Sequence, residues 1–158
     1  METAPETFAV RVDADACPYK REVLECSARF GLRVLFYSCQ AQPAFVEEAG
    51  ALAVRVEPGP DAVDQRLLEE LQPGDVIFTS DLELAREVLA RGGHCIGRHG
   101  DPFTLENIGE ALARRELYRR VRLDPSVNSS RKGKKARKGP SERSRFKGGF
   151  HNLLCRLA

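Results

Sequence analysis

A chain of 158 residues with 42% hydrophobic content is long enough for one domain with a real core, and 25 basic against 23 acidic residues leave a net charge of +2. Five scattered cysteines with no C-x-x-C pair argue against a disulfide framework or a zinc knuckle, and for a reducing compartment. No apolar run approaches the ~18 residues of a membrane span, and the start METAPETF lacks the basic and apolar regions of a secretory signal. A cytoplasmic protein with no membrane partner is expected.

Residues 8–12 (FAVRV) are predicted as a short strand, since three of the five are β-branched or aromatic. The strand gives way at once to Asp13-Ala14-Asp15, and Pro18 suits the first turn of a helix, where its missing N–H costs nothing. Residues 19–30 set Val23, Leu24, Ala28 and Phe30 at roughly helical spacing, closed by Gly31. Residues 32–37 form a second strand, 44–49 a short helix, and 52–56 a third strand cut off by Pro58-Gly59-Pro60. Asp61 reads as the cap of a helix carrying Ala62, Val63, Leu67, Leu68 and Leu71. Residues 75–79 (DVIFT) read as a buried strand, and Asp81 opens a helix with Leu82, Ala85, Val88 and Leu89 on one side. Residues 94–97 are a fifth strand and residues 104–118, starting Thr104-x-x-Asn107, a further helix. This alternation predicts an α/β three-layer sandwich around a mostly parallel central sheet of about five strands.

Charge divides the chain. Residues 1–110 carry 10 Lys/Arg against 20 Asp/Glu, a net of −10, whereas residues 111–158 carry 15 against 3, a net of +12. Composition changes near Asp124-Pro125, so residues 1–124 are expected to be the α/β domain and 125–149 a basic flexible loop or arm. Within that arm Arg131, Lys132, Lys134, Lys135, Arg137 and Lys138 are a compact cationic run, suited to phosphates and to binding that weakens steeply with salt. A merely solubilising loop would look the same. Phe150, Leu153, Leu154 and Leu157 recur at i, i+3, i+4 and i+7, so residues 150–158 are expected to be a short helix docking on the domain.

The carboxylates carry the chemistry. Asp13 and Asp15 follow the first strand, Asp61 and Asp64 open the helix after the third, and Asp81 follows the fourth. If the first and fourth strands are neighbours, as at a topological switch point, Asp13, Asp15 and Asp81 converge and Asp64 leans in from its helix. Asp is favoured at helix starts as a cap, which accounts for Asp61 or Asp81 singly but for at most one of the Asp13-x-Asp15 pair. Convergent carboxylates repel one another unless a cation compensates, and hard oxygen donors without His or Cys suit Mg²⁺ or Mn²⁺. Arg98, in the loop after the fifth strand, is a candidate phosphate contact. Cys17 beside a helix start reads better as a small buried residue than as a reactive thiol.

VDADACP (residues 12–18), PGDVIFTSDLELA (73–85) and RHGDPFTLENI (98–108) resemble the YaiI/YqxD family of uncharacterised bacterial proteins, and the resemblance runs from Val12 to the terminal helix. That family is thought to be similar to PIN-like domains, metal-dependent nucleases with acidic residues at matching strand ends. The likeness implies a PIN-like fold, with Asp13, Asp64 and Asp81 as metal ligands and Asp15 and Asp61 as secondary candidates. The resulting expectation is an Mg²⁺- or Mn²⁺-dependent nuclease acting on RNA, with Asp13, Asp15, Asp64 and Asp81 catalytic and the basic arm holding nucleic acid. Two alternatives stay open. A haloacid-dehalogenase-like phosphatase would use Asp13 as nucleophile and Asp15 as acid/base, although Cys17 departs from that motif. A non-catalytic RNA- or ribosome-associated module would need no active carboxylates.

Overall fold

The computed structural model describes residues 7–123 and 140–158. Its strands are β1 (Val10–Asp13), β2 (Val34–Ser38), β3 (Leu52–Arg55), β4 (Val76–Phe78), β5 (His94–Ile96) and β6 (Pro102–Phe103). Its helices are α1 (Lys20–Arg29), α2 (Ala44–Glu48), α3 (Ala62–Glu70), α4 (Leu82–Ala90), α5 (Leu105–Leu123) and α6 (Pro140–Leu157). The strands make one sheet in the order β3-β2-β1-β4-β5-β6, parallel throughout except for β6, which runs antiparallel to β5 at the edge. Helices cover both faces, which makes the expected three-layer α/β sandwich. Among the described residues no helix is long and apolar enough to cross a membrane.

Period-two alternation along the strands builds two cores. Val10, Val12, Phe36 and Phe78 face α1, α2 and α6 through Val23, Val46, Phe146 and Phe150. Leu35, Tyr37 and Ile77 face α3, α4 and α5 through Leu67, Leu84, Val88 and Ile108. Burial on both faces is why the central strands read as unbroken apolar runs in the sequence.

Arg11, in the middle of β1, is charged and buried. Its Nε donates to Asp75 Oδ2 at 2.8 Å and its Nη1 to the Tyr37 hydroxyl at 2.6 Å. Asp75 also accepts from the backbone N–H groups of Ala9 at 2.8 Å and Gln72 at 2.9 Å. A buried ion pair is tolerable only when satisfied in this way. This one ties the start of β1 to the start of β4.

The C-terminal helix departs most from expectation. It begins at Pro140, so residues 140–149 belong to α6 and not to a loop or arm. Phe146 explains the difference. It is fully buried, stacked on Tyr19 at 5.1 Å and on Phe150 at 5.6 Å between ring centroids, and edge-on to Phe78 at 5.5 Å. Lys147 meets Glu25 at 2.8 Å and Arg143 meets Glu22 at 3.3 Å, so basic residues that looked like arm residues sit against the acids of α1. Gly149 is where α6 passes over the backbone of Gly100 (φ +82°), with no room for a Cβ. Packing outweighs the low helix propensity of two glycines. The rest of the expected arm, residues 125–139, lies outside the described residues.

Smaller differences have local causes. A 3₁₀ turn (Ala14–Ala16) separates β1 from α1, which starts two residues beyond Pro18. Asp61 does not cap α3: it adopts a left-handed backbone (φ 55°), and its side chain makes no capping bond. Two-residue β6 is too short to show a period in the sequence. Thr104 and Asn107 do start α5 by exchanging backbone-to-side-chain bonds at 2.8 and 3.0 Å.

If Phe146 fastens α6 to the sandwich, Phe146→Ala should destabilise the protein by about 3–5 kcal/mol in urea unfolding. A loss below about 1 kcal/mol would mean that α6 is held by its surface ion pairs instead.

Candidate functional site

The sheet order reverses at β1, with β2 and β3 on one side and β4 and β5 on the other. Connections leaving in opposite directions open a crevice at the carboxyl ends of these two strands. Asp13 is the last residue of β1, Thr79 directly follows β4, and Asp81 is the N-cap of α4. The adjacency of the first and fourth strands, on which the expected convergence depends, is present in the fold.

Thr79, fully buried, links two of the carboxylates. Its hydroxyl donates to Asp13 Oδ2 at 3.4 Å and accepts from the Asp81 backbone N–H at 3.1 Å. Asp81 Oδ1 accepts from the N–H groups of Glu83 at 2.9 Å and Leu84 at 3.3 Å, which caps α4 and fixes the carboxylate. Asp15, exposed on the 3₁₀ turn, accepts from Ser38 Oγ at 2.8 Å. Asp64 lies in the first turn of α3, within hydrogen-bonding reach of Asp81. Sequence reasoning missed the part played by Ser38. The available signal was a small hydroxyl at the carboxyl end of a strand adjacent to β1.

Electrostatics follow from this crowding. Burial first, then the charge of Asp15, pushes the Asp13 carboxyl above its ordinary range, with the Thr79 hydrogen bond opposing and Asp81 adding to the rise. Asp64 is pushed up to about 6, by burial and then by the charges of Asp81, Asp13 and Asp61. The cluster is thus strained by its own negative charge. Cys17 is buried and its thiol pushed up to about 12, so it supplies no thiolate at neutral pH.

Hard oxygen donors of this kind suit a small divalent cation. Among the described residues, however, no three His, Cys, Asp or Glu side chains are gathered closely enough to hold a metal ion as they stand. Asp13, Asp64 and Asp81 form an open cluster, compatible with a hydrated ion that keeps several waters and takes one or two carboxylates directly. Asp61, Asp64, Asp81, Glu83, Glu87 and Leu112 line a groove of about 540 Å³ leading away from the cluster between α3, α4 and α5. A larger cavity of about 730 Å³ lies at the opposite edge of the sheet, around Arg11 and Asp75. Those two residues bond each other there.

Arg98 lies beyond β5, where its guanidinium bonds Glu142 of α6 at 3.1 and 3.3 Å, so a phosphate would have to share it. Arg131, Lys132, Lys134, Lys135, Arg137 and Lys138 lie outside the described residues.

A family model described as an uncharacterized BCR, the YaiI/YqxD family, matches residues 11–156. The chain belongs to the YaiI/YqxD family. It is similar to a UPF0178 protein of Caulobacter sp. (strain K31), 39% identical over 140 residues that cover 85% of this chain and 86% of that one. The UPF0178 protein mlr0875 of Mesorhizobium japonicum is 37% identical over 148 residues, covering 93% and 92%. No solved structure matches the chain. The match begins at Arg11 and so takes in β1, its carboxylates and both ends of the crevice. It also runs through α6, the helix that closes the opposite face.

Asp64 gives the site a pH signature. Its folded carboxyl binds a proton more tightly than the ordinary 3.8 of an unfolded chain, so stability rises as pH falls through about 6 and is lost again above it. Glu25, Glu70 and Glu142 are held below their ordinary range, and they withdraw stability only at pH values below about 4.5. The metal-free protein should therefore melt about 1–3 °C higher at pH 5.5 than at pH 7.5, with Asp64→Asn reducing that difference. Equal pH dependence in wild type and variant would remove Asp64 from the cluster.

Proposed function

We propose that this chain is a divalent-metal-dependent nuclease of PIN-like type that acts on RNA, with Asp13, Asp64 and Asp81 as ligands for Mg²⁺ or Mn²⁺. Asp15, held by Ser38, serves as a further ligand or orients the attacking water. The observation that carries this reading is the behaviour of Asp64. A carboxylate from α3 leans toward the pair at the ends of β1 and β4, and burial, then like charge, raises it to about 6. Helix capping does not explain that, because Asp64 lies inside the helix and caps nothing.

Bound among these oxygens, a divalent cation would offset their charge and polarise a phosphodiester. The chain's own groups prepare the site. Thr79 restrains Asp13, the α4 N-terminus fixes Asp81, and Ser38 fixes Asp15. Asp64 keeps its proton below about pH 6 and gives it up above, so cation affinity and cleavage should both fall as pH drops through that value. A phosphatase using Asp13 as nucleophile and Asp15 as acid/base would draw on the same strand end. It would have no use for Asp64, so Asp64 separates the two readings.

The test is thermal melting against Mn²⁺ and Mg²⁺ concentration, followed by RNA cleavage. Cation at about 100 times its dissociation constant should stabilise the wild type by about 2.7 kcal/mol, and Asp13→Asn/Asp81→Asn should abolish the effect. Thr79→Val should weaken cation affinity about 10–100-fold, as loss of a ligand's hydrogen-bond partner does elsewhere. If neither cation changes the melting of the wild type, the metal-dependent reading fails. Cation binding without RNA cleavage, but with hydrolysis of a phosphate monoester through a phosphorylated Asp13, would favour the phosphatase.

A further inference from the structure

Among the described residues, the second half of α5 is not packed into the core. After Leu112 every residue of the helix to Leu123 is exposed, while α5 climbs past α4 toward the carboxyl edge of the sheet. Arg115 marks the crossing, with Nη2 at 3.7 Å from Glu83, in the first turn of α4 and two residues from Asp81. The eight residues beyond it extend about 12 Å further along the helix axis from that crossing.

That segment is strongly cationic. Residues 114–122 hold five arginines, Arg114, Arg115, Arg119, Arg120 and Arg122, against Glu116 alone. Arg115 is engaged by Glu83, and Arg120 lies 3.7 Å from Glu116. Arg114, Tyr118 and Arg122 follow at i, i+4 and i+8, so they stand one above another on one side of the helix, about 6 Å apart along its axis. Tyr118 is 50% exposed and Leu117 59% among the described residues.

We propose that this half of α5 is the surface that holds a single-stranded polynucleotide at the carboxylate site, with Arg114, Arg119 and Arg122 on phosphates and Tyr118 stacked on a base. The inference rests on the nuclease reading above and supplies what that reading lacks. A polyanion is repelled by Asp61, Asp64, Asp81, Glu83 and Glu87, and needs fixed positive charge beside them to approach. Alternating arginine with an exposed aromatic ring is the pattern that grips single strands without reading sequence, through charge and stacking together. A symmetric pairing of two copies through this face would instead set two arginine-rich stripes against each other, which is unfavourable.

The experiment is fluorescence-anisotropy binding of labelled oligo(U) and oligo(dT) to the full chain in EDTA, at several salt concentrations. Wild type should bind at least one of them, and the stronger of the two names the sugar. Arg114→Gln/Arg122→Gln, which keeps good helix formers on an exposed face, should weaken binding roughly tenfold. It should also lower the slope of log affinity against log salt by about 1.4, at about 0.7 for each lost phosphate contact. Tyr118→Ala should weaken binding roughly fivefold or more, with little change in that slope. Asp13→Asn/Asp81→Asn should bind as well as wild type or better. No binding by wild type, or α5 variants that bind like it, overturns the proposal. So does a wild-type dimer in light scattering that α5 substitutions dissociate while oligonucleotide binding is unchanged. Because no cation is needed, failure here is distinct from failure of catalysis. Weakened binding with no cleavage by any form would leave the surface standing and remove the nuclease.

Discussion

β1 is hydrogen-bonded to β2 on one side and to β4 on the other, with helices over both faces. That position leaves it no freedom to slide or rotate. At its beginning, Arg11 and Asp75 fasten it to β4 by a buried ion pair, and a shift in register would leave both charges unpaired at a cost of several kcal/mol. At its other end the same rigidity holds Asp13 in a half-buried place, near Asp15, Asp81 and Asp64, where its charge is unfavourable. The fold tolerates this cluster because the strand beneath it is overdetermined. Stability generated at one edge of the sheet is partly consumed at the other, which is the arrangement expected where a protein keeps a functional site.

The helices complete the sandwich in two different ways. α3, α4 and α5 cover one face in chain order, α3 and α4 against the strands and α5 against α4. The other face has α1 and α2 alone until the chain returns as α6, which brings Phe146, Phe150, Leu153 and Leu154 onto Phe36 and Phe78. Core closure therefore waits for the C-terminus. Ion pairs from Arg143 and Lys147 to α1 and from Arg98 to Glu142 align the returning helix, but exposed pairs contribute little, and the aromatic stack supplies most of the hold.

Charge is segregated in a way that the net value of +2 conceals. The carboxylate crevice and its groove are acidic, and the neighbouring end of α5 is basic. A polyanionic ligand would meet repulsion at the site and attraction beside it. Under the proposed nuclease reading, binding and chemistry would therefore fall to different elements, the acidic centre taking a cation and the helix supplying affinity.

The sequence by itself determined the layered α/β class and the placing of carboxylates after strands, because both follow from short-range rules: apolar runs of strand length, helical spacing and polar residues at strand ends. It also determined that Asp81 starts a helix, since capping is a local bond. Tertiary structure decided the rest. Whether Asp13 and Asp81 meet depended on β1 and β4 being neighbours, a matter of strand order that no local pattern encodes. The helical state of residues 140–149 depended on a buried site for Phe146 made by α1 and β4, against the local preference of Gly148-Gly149. The bond from Ser38 to Asp15 likewise arises between segments. So does the position of α5: its arginines are plain in the sequence, but their nearness to the start of α4 is set only by where α5 packs on α4.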